Sequence, residues 1–218
     1  MSHGRQPRGA ARLVPVVAAA LVVLAACGAP EYRYVKSTSD RTYFRIPSHW
    51  TLFDEDELLR SSDQSAEAKN QFKRLTWSVA FDGSGEPSLE HILSESEHPS
   101  GLVQVRTLLP EQRDAFRLAD LRSLLLPFDP LSEEAQTTGD VEVLRIRDVR
   151  RPGGLHGSEL LMNLKSDSGK ILKWRQVALT DANVSKIHVL AISCGDECYT
   201  ANEDVIGKVI DSWKVKER

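Results

Sequence analysis

The side chains in this sequence that can carry covalent, redox or acid–base chemistry are three cysteines, a handful of histidines and scattered carboxylates. Cys194 and Cys198 stand in the run Cys194-Gly195-Asp196-Glu197-Cys198. A thioredoxin-type dithiol has two residues between its cysteines rather than three, and a zinc site needs two further ligands that no nearby His or Cys motif supplies. A structural disulfide is the expected state of this pair, with redox and metal roles as its rivals. An acid–base or hydrolytic site would draw on His91, His98, His156, Asp82 or Glu86, provided that folding brings them together in space. Neither Gly83-Ser84-Gly85 nor Gly154-Leu155-His156-Gly157-Ser158 is a nucleophile elbow. The sequence has no His-Glu-x-x-His, phosphate-loop or dinucleotide motif, so no metal or cofactor is expected. His188 lies in an apolar run and reads as a core histidine with a satisfied hydrogen bond rather than a ligand or base. The acidic run Asp54-Glu55-Asp56-Glu57 lacks the alternating acids, central glycine and closing Glu of a calcium loop, and fits a helix start or solvated loop better.

The third cysteine concerns location. Arg5, Arg8 and Arg12, with no acid among them, precede an apolar run from Leu13 to Ala26, which is the pattern of a secretory signal. Crossing a membrane takes roughly 20 apolar residues, and this run is shorter and contains Pro15. Leu24-Ala25-Ala26-Cys27 resembles the bacterial lipobox, which implies cleavage before Cys27 and a diacylglycerol on its sulfur. A plain secretory cleavage is the rival, and it would leave Cys27 a free thiol on an exported chain. The expected organisation is a lipoprotein signal peptide over 1–26, a lipidated tether over 27–40 and one domain over 41–218. The expected location is the extracytoplasmic face of a bacterial cell membrane, held there by lipid. Export also favours the Cys194–Cys198 disulfide. Asn183-Val184-Ser185 matches a glycosylation acceptor, which means little in a bacterial lipoprotein.

Loss of a leader with three arginines and no acid would take the formal charge from −3 to −6. That sign argues against nucleic acid as a partner, because phosphate binding needs a basic footprint. With 41% hydrophobic and 27% charged residues, the chain has an ordinary globular composition, so a packed domain is expected rather than disorder.

The elements that must position these residues follow from periodicity. Tyr32-Arg33-Tyr34-Val35, within the tether, has the makings of an edge strand. Thr42 to Phe53 reads as two short strands separated by a tight connection at Pro47, with Trp50 and Leu52 on one face of the second. Ala68, Phe72 and Leu75 predict a surface helix, and Trp77, Val79 and Phe81 predict a strand with one aromatic face. Asp82-Gly83-Ser84-Gly85-Glu86-Pro87 is turn chemistry, and Leu89, Ile92 and Leu93 predict a short helix. A strand over 102–109 leads to Pro110, which opens a helix carrying Ala115, Leu118, Leu121 and Leu125 as its buried stripe. Residues 127–139 are expected to be the longest loop. Strands over 141–149, 160–164, 171–179 and 186–193 are separated by turns short enough to force antiparallel pairing. The last of these is apolar on both faces and so is covered on both. Thr200 and Glu203 form a capping box that predicts the start of the closing helix, and 211–215 reads as a final strand with Trp213 and Val215 on one face.

Phe44-Arg45-Ile46-Pro47-Ser48-His49-Trp50, the hairpins of the second half, and the closing helix followed by Asp211-Ser212-Trp213-Lys214-Val215 resemble the PsbP-like family. Its members include extrinsic photosystem subunits, a Ran-binding import factor and small bacterial lipoproteins. The resemblance implies an α+β sandwich in which an antiparallel sheet is covered by helices on both faces, and binding roles more often than catalysis. No catalytic or ligand motif of the family maps onto this sequence. The expected function is therefore a membrane-tethered, non-enzymatic module that binds an envelope protein or a small apolar ligand. The alternative is an envelope enzyme, hydrolase-like, whose site is assembled only in three dimensions.

Overall fold

Period-two apolar patterning from Val141 onward produces four long antiparallel strands, and the rest of the architecture is laid against them. The computed structural model describes residues 1, 30–166 and 168–216. Cys27 and the leader lie outside the described residues. In chain order the elements are β1 (Tyr32–Ser37), β2 (Thr42–Pro47), β3 (Thr51–Phe53), α1 (Glu55–Arg60), α2 (Ala66–Leu75), β4 (Thr76–Asp82) and β5 (Ser100–Thr107). There follow α3 (Pro110–Ala115), α4 (Glu133–Thr138), β6 (Val141–Arg150), β7 (His156–Lys165), β8 (Ile171–Thr180), β9 (Lys186–Gly195), α5 (Asp196–Ser212) and β10 (Lys214–Val215). Of the stretch read as tether, Tyr32–Ser37 is thus a strand, and Glu31–Arg218 forms one compact unit.

The fold class is the α+β expected, with helices on both faces of an antiparallel sheet, but the strands divide into two sheets rather than one. Seven strands run in the order β3-β4-β5-β9-β8-β7-β6, and a separate sheet holds β1-β2-β10. Pro47 accounts for the break. It ends β2 without a donor for further pairing, and the turn closed by Trp50 N donating to Pro47 O at 3.1 Å carries the chain from one sheet to the other. One face of the large sheet packs Val103, Leu179, Leu190 and Ile192 against Phe44 and Ile46 of β2 and Ile206, Val209 and Ile210 of α5. The opposite face packs Leu160, Met162 and Trp174 against Ala135 of α4, with Leu121 on Val189 beside them. With apolar groups covered on both sides, β9 is buried from Ile187 to Cys194 as expected, and β4 is buried from Ser78 to Asp82.

The acidic run does start a helix. Asp54 caps α1, accepting from Glu57 N while Glu57 Oε2 accepts from Asp54 N. Two helical expectations and one loop expectation are corrected. The helix opened by Pro110 stops at Ala115, because Phe116 and Arg117 are extended, and a 3₁₀ turn covers Leu118–Arg122. Continuing the helix would gain only tenths of a kcal/mol per residue. Bending the chain buries Leu121 completely and lays Phe116 on the sheet, at about 1.5–3 kcal/mol for a fully buried side chain. Leu118, expected in the stripe, is 54% exposed. The expected loop before Gly139 contains α4, capped by Ser132 and ended by Gly139 at φ 73°. Finally, α5 starts at Asp196 instead of Thr200, whose hydroxyl donates to Asp196 O one turn back. Asp196 and Glu197 complement the positive end of that helix. It runs on through Ser212, leaving only Lys214–Val215 as strand.

Candidate functional site

Three places bear on chemistry. The first is the end of β4, where Asp82 is fully buried. Its Oδ1 accepts from Ser84 N at 2.9 Å, and its Oδ2 accepts from Ser84 Oγ at 3.0 Å and Ser88 N at 2.9 Å. His91 Nδ1 lies 2.7 Å from the same Oδ2. Burial pushes the Asp82 carboxyl up, but the amides of Ser84 and Ser88, then His91 and the Ser84 hydroxyl, outweigh it and hold the group below the usual carboxylate range. Of the five residues singled out for acid–base work, only Asp82 and His91 meet. Glu86 and His98 are exposed, and His156 sits at the β6–β7 turn with Nδ1 3.0 Å from Gly154 O. In a nucleophilic relay the hydroxyl meets the ring nitrogen opposite the carboxylate. Here Ser84 Oγ bonds the carboxylate itself and lies 3.5 Å from the nitrogen that faces it. The cluster is a clamp on the loop from residue 83 to 91.

The second place is the end of β9. Cys194 and Cys198 are disulfide-bonded, tying the strand to the first turn of α5. A cleft of about 620 Å³ beside them is lined by Glu95, Glu97, Lys170, Asp196 and Glu197 among others. Among the described residues no group of three His, Cys, Asp or Glu side chains is placed to hold a metal ion.

The third place lies between two turns far apart in sequence. The tip of the β1–β2 hairpin and the tip of the β8–β9 hairpin come from different sheets and wall a cleft of about 660 Å³, with Leu155 and Lys216 completing it. Asp40 Oδ2 accepts from the hydroxyls of Ser37 and Ser39 at 2.8 and 3.0 Å, and its Oδ1 pairs with Lys186 Nζ at 2.6 Å, so one ion pair joins the tips. In the second tip Asp181 Oδ1 accepts from Ser185 N at 2.6 Å and Oδ2 accepts from Ser185 Oγ. Both tips hold a non-glycine residue in the left-handed region, Arg41 at φ 50° and Val184 at φ 51°. For a β-branched residue this is costly backbone. His188 lines the cleft from β9 and is 3% exposed. Its Nδ1 is buried without a hydrogen-bond partner, against the expectation of a satisfied core histidine. Burial, and secondarily Lys186, pushes its pKa down to about 4, so the ring is neutral at pH 7. A buried polar atom left unpaired costs about 1–3 kcal/mol.

The sequence puts residues 27–40 in a tether, Asp181-Ala182-Asn183 in a turn and His188 in a strand, and nothing in it joins residues 38–41 to residues 181–185. The available signal was compositional: both turns mix hydroxyls, an acid and a neighbouring cation.

No protein-family model matches the chain, and no curated protein matches it by sequence. Solved structures are similar to it in overall course. Cyanobacterial PsbP (CyanoP) from Synechocystis sp. PCC 6803 is 13% identical, with 88% of this chain and 99% of that one covered and a TM-score of 0.49. LpqN of Mycobacterium tuberculosis, described as involved in cell envelope biogenesis, is 10% identical over 86% of this chain and 93% of its own, with a TM-score of 0.45. The Ran-binding protein Mog1p of Saccharomyces cerevisiae is 9% identical over 84% and 95%, with a TM-score of 0.42. At these identities no residue role or activity carries over.

Proposed function

We propose that this chain is a lipid-tethered, non-enzymatic binding module of the bacterial envelope, anchored through Cys27, and that it binds a small polar ligand in the cleft between the two hairpin tips. The observation that carries this reading is the unpartnered Nδ1 of buried His188 beside an open cleft. The Asp82–His91–Ser84 group, by contrast, is saturated within its own loop. A volume of about 660 Å³ falls in the range of small-molecule sites. An apolar guest between sheet and α5 would have to displace Ile206, Val209 and Ile210, each no more than 2% exposed. Location rests on the basic and apolar leader and on Leu24-Ala25-Ala26-Cys27. Among the described residues no helix is long and apolar enough to cross a membrane.

The test has two parts. The full chain, expressed in bacteria and extracted from membranes with detergent, should show by intact mass a diacylglycerol-bearing Cys27 as its first residue, and Cys27→Ala should leave the membrane fraction. Side-chain ¹H–¹⁵N spectra of the histidines should then show a saturable shift of His188 with small polar probes. A full-length, unlipidated chain sinks the anchoring, and a His188 signal indifferent to every probe sinks the binding role.

A further inference from the structure

We infer that the outer face of the small sheet lies against the anionic headgroups of the bilayer to which the chain is tethered. This rests on the anchoring half of the reading above and adds the surface that orients the anchored domain; the ligand cleft plays no part in it. Alternation along the strands assigns the two faces of β1-β2-β10. Val35, Phe44 and Ile46 pack inward, with Val215 against them. Their neighbours along each strand point outward: Tyr32, Tyr34 and Lys36 from β1, Tyr43 and Arg45 from β2, and Lys214 from β10. Register brings them together. Tyr43 stands between Lys36 and Lys214, and Tyr34 stands beside Arg45. The Arg45 guanidinium lies over the Tyr32 ring at 4.6 Å, and the ammonium of Lys216, just beyond β10, lies over the Tyr43 ring at 5.2 Å.

Charge and side-chain type say what covers this face. None of its three strands contains an Asp or Glu, on a chain whose formal net charge is −3. Of the acids beside it, Asp40 pairs with Lys186 and Asp211 acts on Arg151. Glu217 and Arg218, which follow Lys216, cancel in formal charge. Among the described residues Lys36, Arg45, Lys214 and Lys216 form no ion pair. Tyr34 is 77% exposed. Tyrosine, with an apolar body and a polar tip, collects at headgroup level, and each Lys or Arg beside an anionic leaflet strengthens binding about fivefold. The length of the tether selects a bilayer over any other acidic surface. Only Gly28 to Glu31 separate Cys27 from Tyr32, and at no more than about 3.6 Å per residue this link holds β1 within about 18 Å of the anchored sulfur. Docking is then intramolecular, and the short link supplies the effective concentration that a weak electrostatic face needs. The lipid retains the chain and the face orients it.

The experiment places the full chain on vesicles through Cys27, by its own lipid or, where intact mass shows the sulfur bare, by coupling that sulfur to a maleimide-headed lipid. Anchor and face are thereby read separately. Vesicles of phosphatidylcholine alone are compared with vesicles that also contain phosphatidylglycerol, and acylation of lysines by a water-soluble reagent, located by mass spectrometry, reports which face is covered. Lys36, Lys214 and Lys216 should be protected on the anionic vesicles, reactive on the neutral ones, and reactive again in high salt. Lys165 and Lys170, exposed and outside the small sheet, should stay reactive throughout. Lys36→Ala combined with Lys214→Ala, both at exposed positions, should weaken docking read at Lys216 about twenty-fivefold. Equal reactivity of the three lysines on both kinds of vesicle overturns the inference, whether or not Cys27 is lipidated. Protection seen on native membranes, lost after their protease treatment and absent on anionic vesicles assigns the face to an acidic protein and overturns it too. A bare Cys27 together with protection on anionic vesicles sinks the natural anchor and upholds the face as a bilayer surface.

Discussion

Trp213 Nε1 donates to Thr42 Oγ1 at 2.9 Å across 171 residues of sequence, and both side chains are fully buried. This bond closes the small sheet at the point where β10 meets the start of β2. Thr42→Val keeps the shape but leaves the indole N–H buried and unpaired, which costs about 1–3 kcal/mol. Urea unfolding should show that loss. Trp213→Phe removes the donor together with part of the packing and should cost more. A Thr42→Val protein as stable as the parent would mean that the indole finds another acceptor.

The Asp82 clamp gives a second prediction, with a defined sign. The carboxyl is held below its ordinary value of 3.8 in the folded chain, so the unfolded chain takes up a proton first as pH falls. Its contribution is therefore complete above the ordinary carboxylate pKa and is lost as pH falls through the lower folded value. Asp82→Asn should remove this acid sensitivity. It should also speed amide exchange at Ser84 and Ser88, whose N–H groups the carboxylate accepts. Because the clamp holds one loop, exchange in β8 and β9 should follow only the global loss. Unchanged exchange at Ser84 and Ser88 would refute the assignment.

What could be read in advance follows the physics of each signal. The strands from Val141 to Ser193 were legible because alternation in apolar residues is a local property, and short turns fix antiparallel neighbours. Division into two sheets was not, since Phe44 and Ile46 alternate in the same way whether β2 pairs with β3 or faces it across a core. The stripe Ala115, Leu118, Leu121, Leu125 suits a helix, but burial of Leu121 and Phe116 decided otherwise. The capped helix before Gly139 has a local signal, Ser132 ahead of two acids and a glycine behind, inside a run whose composition is otherwise that of a polar loop. At the site, residues 38–41 and 181–185 have the composition of any solvated turn. That they face each other is set by packing between sheets, which no local pattern encodes.

The Cys194–Cys198 disulfide closes a short loop, and on the chain-entropy model such a loop is worth about 2 kcal/mol. Cys194 is fully buried, so the paired variant Cys194→Ala, Cys198→Ala also leaves a small void. Melting should drop by several degrees in the double variant, or in the parent after reduction under mild denaturant. The cleft spectra of His188 should not move, because the link sits at the other end of β9. A large change at His188 on reduction would show that the two ends of the strand are coupled.

His188 supplies the last prediction, and the sign again settles it. Burial first, then Lys186, lowers its pKa from 6.5 to about 4 in the fold. At pH 7 the ring is neutral in both states. As pH falls below 6.5 the unfolded chain binds a proton that the folded chain refuses, so stability declines until the pH nears the folded value. With those two values the loss reaches about 2 kcal/mol by pH 5. Carboxylates titrate mostly below this range, which separates this slope from acid unfolding. His188→Phe and His188→Gln should each flatten the decline between pH 6.5 and 5, measured by urea unfolding at fixed ionic strength. The neutral glutamine controls for any packing change that the phenyl ring introduces. If both variants kept the full slope of the parent, another histidine would be its source, and a buried, neutral His188 would be excluded.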